Sequence, residues 1–307
     1  MSSSSSSTPY QPLTRGMRWM LFTASALVFS VGVPLFLLTT RTDTFFAWTI
    51  QSPLTAAFLG AAYWASFVLE FMAAREKHWT HARCAVPAVV AFTALTLVVT
   101  LIHIDKFHFN APSLLTRMGT WVWLAVYASV PVIMSILTII QLRAPGASPP
   151  RQHPLPMWMR TILIVNAAVM ILFGLALLIA PTAVMSLWPW TLTALTGRAI
   201  GAWLVGLGIA AGHAAWENDL LRVRPVIVSS VVFSLLQIIA LLRYSNEPDW
   251  GHPTMWLYLL LLADFLIIGI GGWRMRRGIR QLILTRPGGR PPRTRPRRGR
   301  RRSLARR

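Results

Sequence analysis

Apolar residues in this chain fall into eight long, unbroken runs, separated by short segments that hold most of the charges, prolines and histidines. The runs cover about residues 19–38, 54–74, 84–103, 120–142, 159–180, 196–215, 225–242 and 253–273. Each approaches the roughly 20 residues that an α-helix, rising ~1.5 Å per residue, needs to cross a ~30 Å hydrocarbon layer. They are continuously apolar and do not alternate with a period of two, so spanning helices are predicted and a β-barrel is not. The first run follows Arg15 and Arg18, as the core of a signal peptide would. It is longer than the roughly 7–15 residues of such a core, and no small-x-small site closes it, so it is read as the first span. Met185–Trp190 either extends the fifth span or lies at the membrane surface. The expected fold is an all-α integral membrane bundle of about eight transmembrane helices.

The runs repeat. Moving Leu54–His103 along by 141 positions onto Leu195–Tyr244 matches 12 of 50 residues without a gap. The matches include Gly60 on Gly201, Glu76 on Glu217 and Arg83 on Arg224, which shared apolar bias does not explain. One gap upstream places Trp48-Thr49 on Trp190-Thr191, and an offset of 135 pairs Trp121 with Trp256 and Ser129 with Asp264. Two four-span halves fit this pattern. Four is an even number, so both halves enter the membrane from the same side as parallel repeats. The chain then divides into a disordered Ser-rich start (1–16), a first half (17–143), a Pro-rich linker (144–158), a second half (159–274) and an Arg/Pro-rich tail (275–307).

The stretch "LWPWTLTALTGRAIGAW", with the four-plus-four plan, resembles polytopic membrane proteins of bacteria to which no activity is attached. The resemblance covers the fifth to seventh spans best. It implies an α-helical inner-membrane protein and no chemistry. Read from the residues, Trp48, Trp188 and Trp190 are expected to anchor the outer interface, where indole rings favour the headgroup zone. Thr196 is expected to cap the sixth span, and Gly60 and Gly201 to let neighbouring backbones approach.

Charge adds an orientation. The net charge is +21, but Arg274 to Arg307 holds 15 arginines and no acid, so the other 273 residues carry only +6. Outside the tail, Lys and Arg lie mainly in the loops that share a side with the two ends, which predicts cytoplasmic N- and C-termini by the positive-inside rule. The tail, with Arg274, Arg276, Arg277 and Arg280 leading it, is expected to hold anionic lipid at the inner leaflet. Without interleaved aromatic residues, nucleic acid would bind there only non-specifically.

Candidate chemistry is sparse. The single cysteine, Cys84, excludes an intrachain disulfide framework, and the histidines have no zinc-site spacing, so no metal or cofactor is expected. Asp264 lies near the predicted midplane, where a charged, unpaired carboxylate is costly. It is the candidate ion or proton site, or else a packing acid. Glu70, one turn from Arg75, is read as snorkelling or pairing there, and Arg198 as reaching outer headgroups, with an Arg198–Asp264 pair conceivable. Asn166 and Gln237 read as residues that hydrogen-bond between helices, and His213 and Glu217, four apart, as a local pair. No nucleophile elbow or phosphate-cradling loop is present. The leading expectation is a non-enzymatic membrane scaffold or interaction protein. A small-solute or proton-coupled transporter using Asp264 between the halves comes second, and an intramembrane enzyme third.

Overall fold

The computed structural model describes residues 10–285. Eight of its helices are long and apolar enough to cross a membrane, and they make an all-α, multi-pass bundle. They are α1 (Arg15–Leu37), α2 (Pro53–Ala74), α3 (Ala85–Ile102), α4 (Leu114–Arg143), α5 (Met157–Ile179), α6 (Ala194–Glu217), α7 (Leu220–Arg243) and α8 (Pro253–Thr285). Successive helices run in opposite directions, which defines a terminal face, where α1 begins and α8 ends, and an opposite face. The arginine-rich extension of the last span continues α8 helically from Arg274 to Thr285. The Ser-rich residues 1–9 and the tail beyond 285 lie outside the described residues.

Local chemistry sets the helix starts. Thr14, Ser52 and Ser113 each accept a backbone N–H in the first turn of α1, α2 and α4, and Pro53 follows its cap in α2. At α6 the cap is Thr193, one residue before the helix. Thr196, expected as the cap, is the reciprocal member of a capping box, bonding back to the Thr193 N–H. Asn218, in the left-handed region at φ 46°, turns the chain from α6 into α7.

Packing is organised around α2 and α6, the most buried spans, with α3 and α7 next and α1, α4, α5 and α8 outermost. The central pair is rich in Ala, Gly, Ser and Thr, not in large aliphatics, because small residues let helices approach where lipid supplies no hydrophobic drive between them. At Gly60 a Cβ would stand 2.6 Å from the Phe36 backbone nitrogen of α1. At Gly201 it would stand 2.7 Å from the Gly174 carbonyl oxygen of α5. The main pairings are α1 with α2, α5 with α6, α3 with α4 and α7 with α8. Across the halves, α2 packs on α7 and α3 packs on α6. The second helix of each half is thus seated on the third helix of the other.

Residues 10–14, expected with the disordered start, instead form a strap along the terminal face. Trp79 N–H donates to Gln11 O at 3.1 Å, Leu13 N–H to Lys77 O at 3.0 Å and Gln11 N–H to Ala147 O at 3.0 Å. Leu13 is buried by this contact.

Candidate functional site

The densest polar cluster sits on the terminal face, where α6 ends and α7 begins. Glu217, the last residue of α6, is fully buried. Its Oε2 accepts from Arg222 Nη1 at 2.9 Å, and its Oε1 accepts from Arg83 Nε, with His213 Nε2 3.5 Å away. Arg222 also donates to the Pro149 carbonyl oxygen of the linker, and the Arg83 guanidinium lies over the Trp216 ring, 5.2 Å from its centroid. Two residues on, Asp219 accepts from the backbone N–H groups of Gln152 (2.8 Å), His153 (3.0 Å), Leu221 (3.0 Å) and Arg222 (3.3 Å). Burial alone would raise its pKa, but these four donors stabilise the anion and hold it below the usual aspartate range. The cluster joins four segments: the loop before α3, the linker, the end of α6 and the start of α7.

Cys84 adjoins it. Donor atoms of Cys84, His213 and Glu217 lie within 4.8 Å of one another, a convergence that the spacing of these residues did not reveal. Burial and the Glu217 charge push the Cys84 thiol up, and the Arg83 and Arg222 charges only partly oppose this. A cation there would compete with two guanidinium groups for one carboxylate, beside a thiol that resists ionisation. The donor set suits an ion-pair clamp, in which two acids, Glu217 and Asp219, balance two arginines.

A second polar line follows one face of α2. Tyr63 OH and Tyr127 OH meet at 2.6 Å, and Ser66 Oγ donates to Glu70 Oε1 at 2.9 Å. Glu70 is only 1% exposed. It neither snorkels nor pairs with Arg75, because its face of α2 turns into the bundle and not toward the headgroups. On the facing α7, Ser229 Oγ donates to the Ala65 carbonyl at 2.7 Å and Gln237 Nε2 to the Phe58 carbonyl at 3.1 Å. Gln237 therefore bonds the two halves together, as an interhelical donor should.

Asp264 is half-buried on α8 and faces Asn166 of α5. Both helices belong to the second half, so this pair stands away from the contact between halves, where the transport reading had placed it. Arg198 does not reach Asp264. It donates to the Leu178 carbonyl at the end of α5 (3.0 Å) and to His103 Nε2 (2.9 Å), and it points inward, not to headgroups. Burial, and then the Arg198 charge, keep His103 below the usual histidine range, so its neutral ring accepts this bond.

The tryptophans correct another expectation. Trp48, Trp188 and Trp190 are buried at the opposite face, not presented to lipid. Trp48 packs edge-on against Trp123 at 5.0 Å, Trp188 against Trp190 at 5.0 Å, and Trp190 Nε1 donates to Thr55 Oγ1 at 2.9 Å. Loops 103–113 and 244–252 fold over them, with His108 N–H bonded to the Ala47 carbonyl and Asp249 N–H to the Pro189 carbonyl.

Two hollows accompany these groups. A largely apolar groove of about 390 Å³ opens between α1 and α4, with Tyr63 and Tyr127 in its wall. A hollow of about 30 Å³ lies among α2, α3, α6 and α7, lined by Ser66, Ser229, Trp203 and Phe92 among others. No protein family, curated protein or solved structure matches the chain.

Proposed function

We propose that the protein is a non-catalytic membrane scaffold built from two duplicated, interlocked halves. The observation that carries this reading is the exchange of partners across the halves, α2 on α7 and α3 on α6. Halves joined in this way do not rock past one another as separate bodies, which is the motion that alternating access between repeats requires. Duplication is further supported by recurring detail. Trp79 N–H meets Gln11 O in the first half as Leu220 N–H meets His153 O in the second, and Met17, Leu21, Gly32 and Leu35 of α1 match Met159, Leu163, Gly174 and Leu177 of α5 at an offset of 142. Within α7, Gln237 Nε2 and the Ser229 hydroxyl bond the α2 backbone, and Trp190 Nε1, in the segment before α6, bonds Thr55 of α2.

The scaffold belongs to a bacterial inner membrane with its terminal face in the cytoplasm, where the arginines of α8 meet anionic lipid. Arg277 lies over the Trp273 ring at 3.5 Å, a placement suited to the headgroup zone. The side chain of Arg280 and residues 286–307 are outside the described residues. Reporter fusions after Leu142 and after Arg307 should both report the cytoplasm. For the scaffold itself, residues 1–148 and 149–307 should each be degraded when expressed alone and co-purify as one complex when expressed together. Two stable, separately purified halves would overturn it. In proteoliposomes the intact chain should dissipate an imposed pH gradient no faster than empty vesicles; faster loss would favour the transporter instead.

A further inference from the structure

Glu70 is the one buried carboxyl among the described residues that neither a basic side chain nor a backbone N–H answers; Asp219, also buried, accepts from four backbone N–H groups. Glu217 is held by Arg83 and Arg222, Glu76 by His81, and Glu247 by Ser52 and the Leu54 N–H. Asp264 is only half-buried and faces Asn166. Glu70 has Ser66 on Oε1, while its Oε2 is buried with no partner. An ionised carboxylate in that setting would be an uncompensated charge among packed helices. Tyr127 of α4 is a titratable neighbour, its hydroxyl paired with that of Tyr63, and neither offers a positive charge.

The small hollow gives this group a companion. It borders Ser66, the residue that bonds Glu70, and Ser229 of α7, whose hydroxyl proton is spent on the Ala65 carbonyl and whose lone pairs are available. Its volume of about 30 Å³ exceeds the roughly 10–15 Å³ that one water molecule needs by this measure, and it offers two hydroxyl oxygens as partners. We propose that Glu70 and this hollow form a proton-binding site, in which Glu70 carries the proton as the neutral acid and a water molecule links Ser66 to Ser229. The site lies where α2 of the first half meets α6 and α7 of the second, so of Glu70 and Asp264 it is Glu70 that lies at the contact between the halves. This goes beyond the scaffold reading and does not depend on it, since a bound proton requires no flux.

Infrared spectroscopy of the full chain in lipid at neutral pH tests the proposal. The carbonyl stretch of an un-ionised carboxylic acid should be present, should shift when only the glutamates carry carbon-13, and should disappear in Glu70→Gln while persisting in Asp264→Asn. The isotope measurement needs no variant, so it stands even if Glu70→Gln does not fold. Ser229→Val, which removes one of the two hydroxyls that line the hollow, should move the band to higher frequency as the water is lost. A glutamate-insensitive spectrum in this region, or one that only labelled aspartate shifts, overturns the proton site. A band unmoved by Ser229→Val overturns the water.

Discussion

The two halves solve the same turn differently. In each, a glutamate at the end of the second span pairs with a basic residue five positions later. Glu76, two residues past α2, pairs with His81 of the short helical turn Trp79–Ala82 before α3, and Glu217, the last residue of α6, with Arg222 in the first turn of α7. In each, an upstream strap offers a carbonyl to the residue after the bend, Gln11 to Trp79 and His153 to Leu220. Yet the first pair is about a quarter exposed, with His81 Nδ1 3.4 Å from Glu76, whereas Glu217 is wholly buried. The difference lies in what else reaches the carboxylate. Arg83 crosses from the first half to Glu217, and Arg222 bonds both that carboxylate and the linker carbonyl. A backbone frame can therefore recur while the depth of its charge follows the number of partners available, because a buried charge persists only when fully answered.

The sharpest way to break this comparison is to remove the acid from each turn. Glu217→Ala strands two guanidinium groups, one of them nearly inaccessible, and should destabilise by about 3–5 kcal/mol. Glu76→Ala removes a pair about a quarter exposed and should cost under about 1 kcal/mol. Unfolding in lipid or detergent measures both, and equal losses would show that burial does not separate the two sites.

Where the halves agree, equal effects are expected. Gly60→Val and Gly201→Val each force a side chain against a neighbouring backbone, and should each cost about 1–3 kcal/mol. Gly119→Val, which points into open space beside the α1–α4 groove, should be almost neutral. A large asymmetry between Gly60 and Gly201 would mean that the two helix pairs are not built alike. Gln237→Leu breaks the bond between α7 and α2 and should cost about 0.5–2 kcal/mol, read as earlier dissociation of the co-expressed halves.

Much of this frame was legible in the sequence, and the reasons are physical. Span length and continuous apolarity are imposed by the bilayer, so all eight helices emerged, most within a few residues of their ends. However, α4 and α7 start six and five residues earlier, and α8 runs twelve residues further into the polar arginine-rich segment, where apolarity gives no signal. The close approaches at Gly60 and Gly201 were legible because only small residues permit them. The α1–α5 match at offset 142 is equally present in the letters, in Pro12-Leu13 and Pro154-Leu155, upstream of the Leu54–His103 segment that carries the denser repeat. The site was far less legible. The Glu217 clamp draws on residues far apart in the chain, and only packing brings Arg83 and the Pro149 carbonyl to it. Glu70 and the tryptophans were misplaced for one reason: nearness to a span end says how deep a residue lies, not whether it turns toward lipid or toward other helices.

The smallest expected effect separates the same two turns by pH. Asp219, which caps α7, corresponds to His78 in the first half, where the cap position makes no side-chain bond. Four backbone N–H groups depress the Asp219 pKa in the folded protein, so the unfolded chain binds its proton first as acid is added. The stabilisation from Asp219 is then complete above the unfolded value of about 3.9 and is lost as pH falls through the folded value. Asn also caps well, so Asp219→Asn should change stability at neutral pH by only a few tenths of a kcal/mol. Its effect should appear on the acid side, where the fall in stability becomes shallower. His78→Asn, by contrast, should leave that acid limb as it is in the native chain. An acid limb unchanged by Asp219→Asn would mean that the four N–H groups answer the Asn carbonyl as well as the carboxylate, and that the second turn owes its depth to Glu217 alone.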